Sequence, residues 1–216
     1  MLPIRQWIVR FLSAFFTLLY GSLAASYDFV AWSVSLGRWK SWVLACLPTL
    51  RGPRVLELGH GPGHLQVGLH EKSVQTFGID LSGQMGKLAK SRLSKHGFPA
   101  NLVRAEGQKL PFSNKSFDQI AATFPTEYIS ARKSLREIHR VAADNGDFVV
   151  ILVAWITGKT LLERLMAALF RVTGQTGEWD GAFSRLVAEA GFDVEEKTIK
   201  LKGSKVLLIN AEKLGS

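Results

Sequence analysis

The run Val55-Leu-Glu57-Leu-Gly59-His-Gly61-Pro-Gly63 constrains the fold more than any other stretch of this chain. It reads as a buried strand that ends near an acid and then turns through alternating glycines. Such a turn lets a nucleotide-like ligand lie on the main chain, where a Cβ would collide with it. The usual dinucleotide turn is G-x-G-x-x-G, with a pyrophosphate at the following helix N-terminus. Here the pattern is E-x-G-x-G-x-G. A carboxylate just before the first glycine repels a diphosphate and attracts a cation such as an α-ammonium.

Beyond the first fifty or so residues, short apolar runs alternate with polar, helix-like stretches, which predicts a parallel sheet with crossover helices. Strands are expected at 54–58, 74–79, 101–104, 116–122 and 147–153, with helices from about 63, over 83–96 and over 131–142. In the last of these helices Leu135, Ile138 and Val141 share one face. The glycine of Asp144-Asn145-Gly146 is expected to turn that helix into the fifth strand. Residues 159–173 carry a broad apolar helical stripe, either sheet cover or a cap over a substrate, and 182–190 forms a further helix ending at Gly191. Strands at 193–201 and 204–211 are joined through Lys202-Gly203-Ser204 as a hairpin. The expected fold class is α/β, Rossmann-like: seven strands, mostly parallel, helices on both faces, and an antiparallel last strand.

Four passages carry a family resemblance: Glu57–Gly63; Gly78-Ile-Asp80-Leu-Ser82-Gly-Gln-Met85; Ala105-Glu106-Gly-Gln-Lys-Leu110-Pro-Phe112 with Ser116-Phe-Asp118; and Leu135-Arg-Glu137-Ile-His-Arg-Val141 with Asn145-Gly146. In this order and spacing, the chain from about Tyr27 resembles the class I S-adenosylmethionine-dependent methyltransferases of the quinone-methyltransferase-like (type 11) group. The resemblance implies S-adenosyl-L-methionine as cofactor, held by Glu57, Gly59, His60, Gly61, Gly63, Asp80, Leu81, Met85, Glu106, Gly107, Gln108 and Thr123. Asp80 suits both ribose hydroxyls, and a nicotinamide enzyme would use it in the same way. Glu106 stands where the family usually has an aspartate for the adenine amine, with the Gly107 and Gln108 N–H groups toward the ring. Each assignment has a plainer alternative: Glu57 as an acid satisfied by backbone donors, Asp80 as a helix N-cap, Glu106 as a surface acid, Met85 as a core residue. His60 needs only its backbone at the cofactor, and no metal site is expected because no second ligand stands at metal spacing.

Methyl transfer needs alignment and exclusion of water, with a general base only where the nucleophile must lose a proton. Phe124-Pro-Thr-Glu127-Tyr128 opens into the cleft expected at the carboxyl ends of parallel strands, making Glu127 and Tyr128 the candidate catalytic residues. Amine-methylating relatives place an acid or amide followed by Pro-Pro and an aromatic here. Thr123-Phe-Pro-Thr126 departs from that, so base-amine methylation of nucleic acid is disfavoured and no nucleic-acid partner is expected. A small-molecule or lipid acceptor is expected instead. A nicotinamide oxidoreductase is the rival, and this chain lacks the Tyr-x-x-x-Lys set such an enzyme would use.

A net charge of +9 and a pI near 9.8 suit an anionic partner. Phe11 to Tyr27 holds no charged residue, with Arg5 and Arg10 before it and Trp32, Trp39 and Trp42 after it. It is at the short edge for crossing a bilayer, which takes ~20 apolar residues. An interfacial anchor, a substrate cap and a cleaved signal peptide are the three readings of this segment. The last is disfavoured because the cofactor is intracellular. The expected organisation is an apolar N-terminal segment over 1–45 and a methyltransferase domain over 46–216 with a helical insert at about 157–178. The expected location is the cytoplasm, with peripheral attachment to the inner face of the membrane. Cys46 is the lone cysteine, which precludes an internal disulfide.

Overall fold

The computed structural model describes residues 32–33, 35–157 and 181–215. The expected helix over 159–173 and most of the N-terminal segment lie outside the described residues. Seven strands form one sheet in the order β3-β2-β1-β4-β5-β7-β6. They are β1 (Arg54–Leu58), β2 (Gln75–Asp80), β3 (Leu102–Arg104), β4 (Phe117–Thr123), β5 (Ala142–Ile156), β6 (Phe192–Leu201) and β7 (Ser204–Lys213). The first five pair in parallel, and β7 runs antiparallel between β5 and β6. A tight hairpin can only reverse direction, so the strand that fills the gap beside β5 must oppose its neighbours.

The helices are α1 (Trp39–Val43), α2 (His64–Glu71), α3 (Gly83–Lys95), α4 (Arg132–Val141) and α5 (Ala182–Glu189). Two apolar layers follow from period-two alternation in the strands. Leu56, Leu58, Ile120, Phe148 and Val150 bury against Leu135, Ile138 and Val141 of α4 and Phe183 and Val187 of α5. Val55, Ala121, Val149 and Ile151 bury on the other face, with Leu65 and Leu69 of α2 and Trp42 and Val43 of α1. Trp42 Nε1 donates to Ser204 Oγ at 2.9 Å, tying α1 to the terminal hairpin. Because β2 follows β1 on one side and β4 lies on the other, the chain changes direction across the sheet at β1, and loops diverge there to leave a crevice.

The fifth strand corrects the sequence reading. It begins at Ala142 directly after α4, and Asp144-Asn145-Gly146 lies inside it as a bulge, where pairing jumps from Phe117↔Ala142 to Gln119↔Asp147. The left-handed residue is Asn145, at φ 59°, and not the glycine. Gly146 is needed for room instead, since a Cβ there would lie 3.0 Å from the carbonyl oxygens of Ala143 and Asp118.

Gly63 caps α2 at φ 84° and packs against α3, where a Cβ would stand 2.9 Å from Ala89 Cβ. Gly97 shares the left-handed backbone, φ 73°, but opens on empty space. Gly63→Ala should therefore cost about 2 to 4 kcal/mol, combining backbone strain and overpacking, against about 1 kcal/mol for Gly97→Ala. Denaturant unfolding of the two variants side by side measures the difference.

Candidate active site

The carboxyl ends of β1, β2, β3 and β4 surround a cavity of about 730 Å³. The glycine turn forms its floor. Gly59 and His60 donate their N–H groups to Ile79 O at 2.8 and 3.1 Å, and Gly59 (φ 68°) and Gly61 (φ 50°) both adopt left-handed backbone. The space beyond Gly61 is clear, so main chain can meet a ligand there without a side chain between them.

Two carboxylates govern the turn. Asp80 Oδ2 accepts from Gly61 N at 2.9 Å and Oδ1 from Ser82 N at 2.8 Å, so one side chain fastens the glycine turn to the loop that starts α3. A carboxylate has about four acceptor positions, so capacity remains on the cavity side. Glu57 is buried at 1% exposure and accepts from Gln66 Nε2 at 2.8 Å. Gln66 is itself held by Thr76 Oγ1, which donates to its Oε1 at 3.0 Å, and by Phe77 O. Burial pushes the Glu57 carboxyl up to about 8, the Gln66 bond counters it in part, and the Asp80 charge adds to the rise. The backbone-satisfied alternative for Glu57 is thus not what forms; a side-chain amide serves it.

His60 turns its ring inward, 4% exposed, with Nδ1 2.7 Å from Gly61 O. A carbonyl only accepts, so Nδ1 carries the proton. Burial lowers the imidazole's affinity for a second proton, although the Asp80 charge opposes the fall. Beside Asp80, Leu81 lines the cavity while remaining 60% exposed, an apolar surface open to a ligand.

The loop carrying Glu106, Gly107 and Gln108 forms the next wall. Its position comes from α4: Glu137 Oε2 accepts from Leu110 N at 2.7 Å, and Arg140 donates to Leu110 O and Phe112 O at 3.0 and 2.7 Å. Arg140 also grips Glu137 at 2.7 Å, and this bond holds the Glu137 carboxyl below the usual range. Tyr128 crosses the cavity from the far side. A Cβ built on Gly107 would lie 2.8 Å from its ring, and one on Gly59 would lie 3.0 Å from its hydroxyl. Ser134 Oγ donates to Tyr128 O at 2.6 Å and fixes the backbone of this crossing. Thr123, Phe124 and Trp39 complete the other end.

Of the sequence-predicted positions, Glu57, Gly59, His60, Gly61, Asp80, Leu81, Glu106, Gly107, Gln108, Thr123 and Tyr128 converge on this cavity. Three do not line it. Met85 is fully buried beneath α3, so the core reading is the one the fold realises. Gly63 serves the packing of α2 on α3. Glu127 is exposed in the short 3-10 turn Glu127–Ser130, away from the lining. Arg104 and Trp39 line the cavity without having been anticipated. Arg104 ends a parallel strand and donates to Leu81 O at 2.8 Å, and strand-end position was the available signal. Trp39 had none beyond its aromatic neighbourhood. Among the described residues no group of three or more His, Cys, Asp or Glu is disposed to hold a metal ion.

Known proteins share parts of this sequence and fold. Residues 55–146 match the model of a methyltransferase domain. The chain is similar to the ubiquinone/menaquinone biosynthesis C-methyltransferase UbiE of Klebsiella pneumoniae subsp. pneumoniae, with 28% identity over 183 residues, covering 79% of this chain and 73% of that one. Among solved structures it is similar in fold to the PH0226 protein of Pyrococcus horikoshii OT3 (TM-score 0.60, 20% identity, 80% of this chain and 91% of that chain). It is likewise similar to phosphoethanolamine N-methyltransferase 2 of Haemonchus contortus, solved with S-adenosylhomocysteine (TM-score 0.59, 17% identity, 82% of this chain and 53% of that chain).

The buried acid carries a pH signature. Glu57 holds its proton in the folded state up to about 8, while an unfolded glutamate releases it near 4.5. Stability from the protonated form is fully present below the unfolded value and is lost as pH rises through the folded one. Wild type should therefore lose on the order of 3 kcal/mol relative to Glu57→Gln between pH 5 and pH 8, with a flat difference above. Denaturant midpoints of both proteins across that range check the slope.

Proposed function

We propose that the chain, whose residues 55–146 match a methyltransferase domain, is a class I S-adenosylmethionine-dependent methyltransferase and that it methylates a small lipophilic acceptor at the Trp39–Phe124 end of the cavity. The division of charge in the lining carries this reading. Glu57, Asp80, Arg104 and Glu106 come from β1, β2, β3 and the following loop, whereas Trp39, Val43, Thr123, Phe124, Pro125 and Thr126 are all uncharged. A polar, charged ligand and an apolar one are thus accommodated side by side.

The cofactor residues fit their group. Glu57 offers a buried carboxylate where an ammonium would neutralise it, and binding there would release the proton it otherwise holds. Gly59 and Gly61 present bare main chain, Asp80 keeps acceptor capacity for two ribose hydroxyls, and Glu106 with the Gly107 and Gln108 amides suits an adenine edge. An acid at position 57, where a pyrophosphate would approach, leaves the nicotinamide alternative unfavoured. When bound, the cofactor supplies a sulfonium methyl whose transfer leaves a neutral thioether. The chain aligns the acceptor with that methyl and excludes water. Tyr128, whose hydroxyl faces Gly59, is the residue suited to orient the nucleophile through a hydrogen bond. Glu127 is exposed and outside the lining, so the task is not assigned to it.

The UbiE proteins are named for ubiquinone and menaquinone biosynthesis, so a quinone-like ring heads the acceptor classes, ahead of a phospholipid or an apolar thiol. Among the described residues no helix is long and apolar enough to cross a membrane. Net charge +9 supports peripheral attachment to an anionic surface on the cytoplasmic side. Full-length protein should float with anionic vesicles and stay behind with zwitterionic ones.

Incubation with methyl-labelled cofactor and a lipid extract should place label in the organic phase. Asp80→Ala should weaken S-adenosylhomocysteine binding by about tenfold to a hundredfold. Tyr128→Phe should lower kcat by about tenfold or more while changing that affinity little. Label that stays with the cofactor across quinol, phospholipid and thiol fractions would refute the lipophilic-acceptor reading.

A further inference from the structure

Phe124 is an apolar, bulky residue held at φ 49°, a left-handed conformation that costs such a side chain roughly 1 to 2 kcal/mol. It immediately follows the last residue of β4 and donates its N–H to Ile151 O at 2.7 Å, so the parallel ladder continues one residue past the strand while the side chain swings aside. The swing brings its ring against Trp39, with centroids 4.9 Å apart and planes inclined by 31°. Trp42 backs both rings at centroid distances of 6.5 and 6.3 Å. Trp42 in turn is fixed by its indole bond to Ser204 in the buried start of β7. A strained main chain, an aromatic pair and a bond from the far hairpin therefore all serve one surface, and that surface lines the cavity.

Resting on the methyltransferase reading, we infer that Trp39 and Phe124 are the specificity-determining wall of the acceptor subsite and that they select a planar, uncharged ring. Three observations fix that chemistry. The wall is two partly buried aromatic faces, which favour an offset-stacked or edge-on ring over a flexible chain. The lining residues contributed by α1 and by the end of β4 and its loop, Trp39, Val43, Thr123, Phe124, Pro125 and Thr126, include no charged side chain, so a phosphate head group would be desolvated against them without a counter-charge. Side-chain hydrogen-bonding capacity among the described residues at this end is limited to Thr123, Thr126, the Tyr128 hydroxyl and the Trp39 indole N–H, all uncharged groups that suit a ring oxygen better than an ion. Selection also runs through the N-terminal part of the chain, because Trp39 opens α1 and stands outside the 55–146 span.

Equilibrium dialysis of full-length protein with dimethylnaphthoquinone, in the presence of S-adenosylhomocysteine, tests the wall directly. Phosphocholine serves as the charged comparison. Wild type should hold the quinone at least about tenfold more tightly than phosphocholine. Trp39→Ala and Phe124→Ala should each weaken the quinone by about tenfold, with Trp39→Phe within about threefold of wild type. Affinity for S-adenosylhomocysteine should move by less than about twofold in all of them. If an alanine variant fails to bind S-adenosylhomocysteine, Trp39→Leu and Phe124→Leu, which keep bulk and remove the ring, decide in its place. Undiminished quinone affinity without the rings, or phosphocholine bound as tightly as quinone, overturns the inference. Loss of S-adenosylhomocysteine binding by wild type would instead refute the methyltransferase reading, so the two failures are separate.

Discussion

The cofactor side of this molecule depends on one carboxylate joining two loops. Asp80 receives Gly61 N–H on one oxygen and Ser82 N–H on the other. Those bonds hold the glycine turn after β1 at a set distance from the start of α3, where the Ser82 hydroxyl accepts from Met85 N as an N-cap. Without them, the Gly59-His60-Gly61 turn, left-handed at both glycines, would have no partner for the Gly61 amide, and an unpaired amide in a half-buried turn costs about 1 to 3 kcal/mol. The same carboxylate that organises the turn also lines the cavity, so on the proposed reading fold and binding use one set of atoms. A protein built this way has its cofactor cleft largely pre-formed, with little ordering left to do on binding.

Around that fastening, second contacts hold each wall. Gln66, locked by Thr76, keeps Glu57 in place; Glu137 and Arg140 of α4 hold the adenine-side loop; and Ser134 holds the backbone of Tyr128. On the acceptor side the support is aromatic and apolar, running from Ser204 through Trp42 to Trp39 and Phe124. The two halves differ in the forces that hold them, as the proposed pair of ligands requires. A cationic, hydroxyl-rich cofactor needs fixed acceptors, whereas a lipophilic acceptor needs shape and exclusion of water.

Much of the cofactor half was legible along the chain. Glu57, Asp80 and Glu106 each sit at or just beyond the end of a strand whose apolar run is unmistakable, and in a parallel sheet all such ends come to one edge. What failed were inferences about where a side chain points. The family resemblance offers Met85 to the cofactor and the sequence equally allows a core methionine; its place three residues after the Ser82 cap puts it on the buried face of α3. Gly63 was counted with the other turn glycines, yet its missing Cβ makes room for Ala89. Glu127 shares the loop after β4 with Tyr128, and the single 3-10 turn there sends one outward and the other across the cavity. Asn145, not Gly146, supplies the left-handed residue, because Gly146 is held close to the carbonyls of Ala143 and Asp118.

The sequence by itself determined the class of fold, the seven strands and the acidic, glycine-rich strand ends of the cofactor site, because those depend on local periodicity and backbone freedom read within a few residues. Tertiary structure alone decided the aromatic end of the cavity. Trp39 meets Phe124 across 85 residues of chain (124 − 39), and Ser204 steadies them from a hairpin near the far end. No local pattern encodes such a meeting. It arises only when β4 and β5 pair beside β7 and close the sheet's second face over α1.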